Sequence, residues 1–190
     1  MNDLLRRPDT PVADHPFLAF VNSVADDGKT RESDLFDNGV ELVGLLIQAG
    51  LGQALDVPEN KDLASLIAFR EAAFRVLSAA AAKQAPERDD VRHVERAMKT
   101  ALSRAHVSFG SAGLAMQAGQ GCGLQDVLAL SFMDLTTSPE FPRLSECRRC
   151  TRLFIDRGRG RGRRWCDMAR CGNRAKAESF RARRRAAKTD

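Results

Sequence analysis

Four of the five cysteines lie within 25 residues: two residues separate Cys147 from Cys150, fifteen separate Cys150 from Cys166, and four separate Cys166 from Cys171. Two intervening residues let one tight backbone knuckle present two sulfurs, and a second cysteine arm 15–20 residues later is the spacing of a zinc site. Zn²⁺ takes four thiolates at tetrahedral corners about 2.3 Å away. The second arm, with Asp167 to Arg170 between its sulfurs, is looser and has room for about one helical turn. A disulfide framework belongs to secreted chains. The opening residues Met1 to Pro8 carry no apolar stretch of the kind a secretory leader needs. The expectation is therefore one structural zinc per chain, held by Cys147, Cys150, Cys166 and Cys171. Four protein ligands close the coordination sphere, so the metal should hold the fold and perform no chemistry. A segment this short has too little core to fold without it. Cys122 stands alone in Gly119-Gln120-Gly121-Cys122-Gly123, without a basic neighbour, and reads as a small packed thiol and not a nucleophile.

Charge divides the chain at the same place. Residues 147–190 hold 14 Arg and 2 Lys against 4 acidic side chains, a net +12, whereas residues 1–146 hold 14 basic and 21 acidic, a net −7. An acidic body with a short basic tail implies a polyanionic partner for the tail. Solubility alone does not demand one sign of charge, and the planar fork of arginine suits bidentate phosphate or guanine contacts. At 100° per residue, Arg174, Arg181, Arg185 and Lys188 fall within an arc of about 60° on a terminal helix, widened by Arg184. A glycine-spaced loop adds Arg157, Arg159, Arg161, Arg163 and Arg164. These ten residues are the expected nucleic-acid contacts.

Upstream, apolar residues recur every three or four positions through residue 138, and the spacing predicts five helices. Asp14 is placed to cap the first, which carries Phe17, Phe20, Val21 and Val24. Asp34 precedes a second with Phe36, Val40, Val43 and Ile47 in register, ended by Gly50. Pro58 and Pro86 open the third and fourth, with Leu66, Arg70 and Leu77 along one stripe and Val94 and Met98 along the other. Leu124, Leu128 and Leu135 mark the fifth. His106–Phe109 and Leu114–Gln117 flank a glycine-rich turn and read as a hairpin. Residues 139–146, with Pro139 and Pro142, read as a linker between a helical domain (1–138) and a finger (147–190). No run of about 18 apolar residues exists to cross a membrane.

The string Arg163-Arg164-Trp165-Cys166-Asp167-Met168-Ala169-Arg170-Cys171-Gly172-Asn173-Arg174, after Cys147-Arg148-Arg149-Cys150 and Phe154-Ile155-Asp156, resembles the CGNR zinc finger. Phe20-Val21-Asn22-Ser23 and the helices behind it resemble the ABATE-type domain usually joined to that finger in a bacterial family of stress-induced transcription regulators. Such proteins commonly carry Ser or Thr two residues after the Asp of the Phe-x-Asp string; Gly158 stands there, making the loop more basic and more flexible. The resemblance implies a mainly α protein with a small β-hairpin, and a treble-clef-like C-terminal finger in which Leu153–Ile155 and Trp165 supply short strands before a basic helix. It implies a zinc-dependent, cytoplasmic DNA-binding transcription regulator, with double-stranded DNA as partner and a helical domain that senses a signal or forms a homodimer. RNA or ribosome association and a protein-interaction adaptor are the alternatives. Phe20, Asn22, Phe36 and Arg70 are expected to line a pocket for a small-molecule ligand. No enzyme is expected: His15, His93 and His106 are isolated, tyrosine is absent, and no phosphate loop or nucleophile elbow occurs.

Overall fold

Helix starts follow the residues that can cap them. The computed structural model describes residues 14–25, 29–52, 55–111, 113–158 and 162–186. Helix α1 (Pro16–Val21) has proline in its first turn, and His15 Nδ1 accepts from the Phe17 N–H at 3.1 Å. Asp14, expected as this cap, instead turns to the far end of the chain, where its carboxylate accepts from the Ile155 N–H at 3.0 Å. Helix α2 (Gly39–Gln48) is capped by Asn38, not Asp34. It buries Leu42, Val43 and Leu46 and leaves Val40 and Ile47 exposed. This helix is apolar nearly all round, so more than one stripe satisfies its periodicity. Helices α3 (Asn60–Ala81), α4 (Arg88–Arg104) and α5 (Leu124–Thr137) lie where the spacing predicts them. Strands β1 (Ala105–Gly110) and β2 (Gly113–Ala118) form the expected hairpin, with His106 opposite Gln117 and Phe109 opposite Leu114.

Helix α4 packs between α3 and α5, and α1 crosses α2, α3 and α5. Phe17 is the hinge of this core: its ring meets Phe132 edge-on at 5.2 Å and also touches Phe20 and Phe69. Beside it sits a charged cluster. Arg70, 1% exposed, places Nη1 2.6 Å from Asp34 Oδ1 in an ion pair that lies off the hydrogen-bond line. Its Nε donates to Glu71 at 2.8 Å, and Nη1 reaches the Ser23 carbonyl and hydroxyl at 3.3 Å. Arg31 donates to both oxygens of Glu71 (2.7 and 3.0 Å) and stacks on Phe74 at 3.8 Å. A charge this deep is tolerated only because each face meets a partner.

The segment 139–146, read above as linker, holds a 3₁₀ turn (Phe141–Arg143) and strand β3 (Leu144–Glu146). Strand β3 pairs antiparallel with β4 (Leu153–Ile155), Leu144 opposite Ile155. Trp165, expected to supply the partner strand, lies in a bend. Leu144, Leu153 and Ile155 all belong to the helical core. The Asn22 side chain acts as a further strand: its Nδ2 donates to the Leu153 carbonyl at 2.8 Å, and its Oδ1 accepts from the Leu153 N–H at 2.9 Å. A one-turn π-helical segment (Met168–Gly172) leads into α6 (Asn173–Ala186).

Burial pushes the Glu71 carboxyl up, but hydrogen bonds and charge from Arg31 and Arg70 outweigh it and hold the group below the usual carboxylate range. A depressed carboxylate contributes stability that is complete above its unfolded value and is lost as pH falls through the lowered folded one. Glu71→Gln should therefore cost about 2 kcal/mol at neutral pH. Urea titrations of both proteins should show this difference shrinking below about pH 4.

Candidate metal centre

The loop between β3 and β4 is itself the first ligand arm. The Cys147 N–H donates to the Arg152 carbonyl at 2.9 Å, closing a knuckle that presents Cys147 and Cys150. The Arg148 N–H donates to the Arg164 carbonyl at 3.1 Å and draws the second arm alongside. There, Asp167 caps the π turn: its carboxylate accepts from the Arg170 N–H at 2.7 Å and its carbonyl from the Cys171 and Gly172 N–H groups, each at 3.0 Å. Asn173, exposed and with helical backbone angles, begins α6. Gly172 leaves room for the Met168 thioether and for Trp165, whose Cδ1 would stand 3.2 Å from a β-carbon there.

These arms bring the four sulfurs of Cys147, Cys150, Cys166 and Cys171 within 4.8 Å of one another. Cys150, Cys166 and Cys171 form a triangle with 3.6 Å sides. Thiolates about 2.3 Å from one tetrahedral ion lie about 3.8 Å apart, so the spacing fits a single metal. The donor chemistry fits as well. As bare thiols, Cys150 and Cys166 donate to Cys147, which holds the Cys147 thiol far below its ordinary value. The same bond to Cys147 pushes Cys150 up to about 12 and Cys166 higher still. A divalent cation among the sulfurs would favour the thiolate form of its ligands. Three of the sulfurs are buried, with Phe154 and Trp165 packed against them. Such a set, soft and closed, selects zinc or iron and leaves no position for substrate.

Two of the expected nucleic-acid contacts are engaged within the fold, one of them at this centre. Arg163 donates from Nε to the Trp165 carbonyl at 2.8 Å and from Nη2 to the Cys166 carbonyl, with its guanidinium 4.4 Å above Phe154. Arg157 grips Glu140 with two hydrogen bonds (2.8 and 2.6 Å) and lies 3.5 Å from Asp14. Asp156 ties both rims of the arginine–glycine loop, accepting from the Gly158 N–H at 2.9 Å and the Arg163 N–H at 2.8 Å. Those two bonds lower its carboxyl, the Arg163 one most. Arg164 lies 5.4 Å from the Trp165 ring, and Arg184 lies 5.8 Å from that of Phe180. Arg174, Arg181, Arg184 and Arg185 are exposed along α6. Arg159, Arg161 and Lys188 lie outside the described residues.

The four residues expected around a ligand are taken by the fold. Phe20 and Phe36 are buried in the helical core, Asn22 is bonded to Leu153, and Arg70 to Ser23, Asp34 and Glu71. Cys122 is half-buried, its sulfur 3.6 Å from the Arg104 carbonyl. Sequence reasoning missed the residues that join the two halves. Besides Asn22 and Asp14, the Arg31 guanidinium donates to the Thr151 hydroxyl in the knuckle at 3.3 Å, and Ser78 donates to Glu146 at 2.5 Å. Arg149, between the first two ligands, pairs with Glu178 of α6 at 3.2 Å.

Comparison with known families agrees with this geometry. Residues 143–184 match the CGNR zinc finger, and residues 14–139 match ABATE, described as a putative stress-induced transcription regulator. The second match covers more than half of the chain. The chain belongs to the ABATE family. No curated protein matches it. Both descriptions are of non-enzymatic proteins, and together they make this ABATE-family chain a metal-dependent, regulatory nucleic-acid-binding protein. Among the described residues, no helix is long and apolar enough to cross a membrane.

Arg163→Ala should weaken metal binding about tenfold by releasing the carbonyls that orient Trp165 and Cys166, as loss of an outer-shell partner commonly does. Cys166→Ser should weaken it much further, while Arg181→Ala on α6 should leave it unchanged. Competition against a chromophoric chelator measures all three.

Proposed function

We propose that this chain is a cytoplasmic, zinc-dependent transcription regulator that docks on double-stranded DNA through its finger, while the helical body receives a signal. One zinc ion per chain on Cys147, Cys150, Cys166 and Cys171, when bound, supplies the cross-link between the two ligand arms. The chain's own residues do the rest. The π turn capped by Asp167 carries Cys171 directly into α6, so the helix leaves the metal centre in a set direction. Arg149 steadies it through Glu178, the acid of that helix. The reading rests above all on this join between a closed sulfur cluster and a segment of net charge +12.

Arg164, Arg174, Arg181, Arg184 and Arg185 are the contacts this reading assigns to phosphates or base edges. Arg159, Arg161 and Lys188 extend the same charge. Arg157 and Arg163 are assigned to the fold. Phosphate neutralisation gives most of the affinity and makes it salt-dependent. If six phosphates are neutralised, log K against log salt falls with a slope of about −5.

Fluorescence anisotropy with a labelled duplex across a salt series tests this. Replacing Arg181, Arg184 and Arg185 by Ala together should flatten the slope by about 3 without loss of metal. Zinc should be present at one equivalent. Salt-insensitive binding, no binding to any duplex, or tighter binding to structured RNA at equal salt would contradict the reading.

A further inference from the structure

Between Arg104 and Asp126 run 21 residues without a formally charged side chain, the longest such stretch in the chain. It contains β1 and β2, and the ribbon stands in solvent: residues 106–110 and 114–118 are all exposed. The register decides what each face presents. Val107 lies opposite Met116 and Phe109 opposite Leu114 on one face; His106, Ser108, Ala115 and Gln117 lie on the other. The first face is wholly apolar, with Phe109 83%, Leu114 60% and Val107 56% exposed. A two-stranded ribbon alone is marginal in water, and uncharged edge strands are ordinarily blunted by lysine or proline, which this one lacks.

We propose that this face is a homodimer interface, with the ribbon of a second copy packed on it about a twofold axis. The absence of cations rules it out as a docking strip for a polyanion. The acidity of the body points to a second copy. Residues 1–146 carry a net −7, and two such bodies bring the least like charge together where they meet through an uncharged segment, of which this ribbon is the longest. An interface about a twofold uses the same patch on both partners, and an apolar face is complementary to itself. Val107, Phe109, Leu114 and Met116 together offer on the order of 400 Å² of apolar surface per chain. That is about half of what each partner gives to a standard interface, leaving the strand backbone and the neighbouring Leu102, 40% exposed, to supply the remainder.

Sedimentation of the full-length, zinc-loaded chain from roughly 1 to 100 µM, without nucleic acid, tests this separately from DNA binding. The wild type should dimerise within that range. Phe109→Glu should weaken the dimer roughly tenfold or more, with zinc content and far-ultraviolet dichroism unchanged. Gln117→Glu, on the opposite face, should leave it intact. A wild type monomeric throughout, a Phe109→Glu protein that dimerises like the wild type, or equal dissociation by Gln117→Glu would overturn the proposal. So would a monomer that binds phosphatidylcholine vesicles through Phe109, which would assign the face to lipid.

Discussion

Leu153, Phe154 and Ile155 are consecutive and all buried, yet they serve two different interiors. Alternation along a strand sends Leu153 and Ile155 into the helical core and Phe154 against the cysteine cluster. The strand is three residues long and has one backbone partner, β3. Such a strand would not persist alone. It is held from one side by the helices, through Asn22 and Asp14, and from the other by the knuckle whose sulfurs point at the metal position. The family boundary near residue 140 therefore does not divide the packing. The finger's hairpin is a layer of the helical core, and the metal centre is built on that layer's outer face.

This arrangement sorts the arginines. Charge of one sign in a short segment costs repulsion unless some of it is absorbed locally. Arg157 takes Glu140 and Asp14, Arg149 takes Glu178, and Arg163 lies on Phe154 while bracing two carbonyls of the second arm. What remains toward solvent on α6 is arginine-rich and follows directly on the turn that carries Cys171. In the body, Arg31 and Arg70 do the reverse. They sit inside and neutralise Glu71 and Asp34 where the chain between α1 and α2 turns back on α3.

The cysteine spacing and the helical stripes were legible because both are local: two residues make a knuckle, and three or four make a helix face. Arg70 was legible as a member of the stripe and was read as a pocket residue, not as a buried ion, since two of its partners, Ser23 and Asp34, come from another part of the chain. Asn22 shows the limit more sharply. It stands beside Phe20 and Val21 in a string that marks the family, but its partner is 131 residues away, and an asparagine after a short helix reads locally as a cap or a ligand group. Strand β3 was hidden by the prolines before it, which mark a boundary in sequence without requiring one in space. In the arginine tail, charge was countable but commitment was not; only geometry separates Arg163 from Arg181.

The metal centre and the helical core share β4. The most direct measurement is hydrogen exchange at the amides of Leu153 and Ile155, which donate to Asn22 and Asp14, before and after the metal is removed by chelation. Both should lose protection with the metal, and the amides of α1 should loosen with them while those of α4 do not. Unchanged protection at Leu153 and Ile155 in the metal-free protein would contradict it.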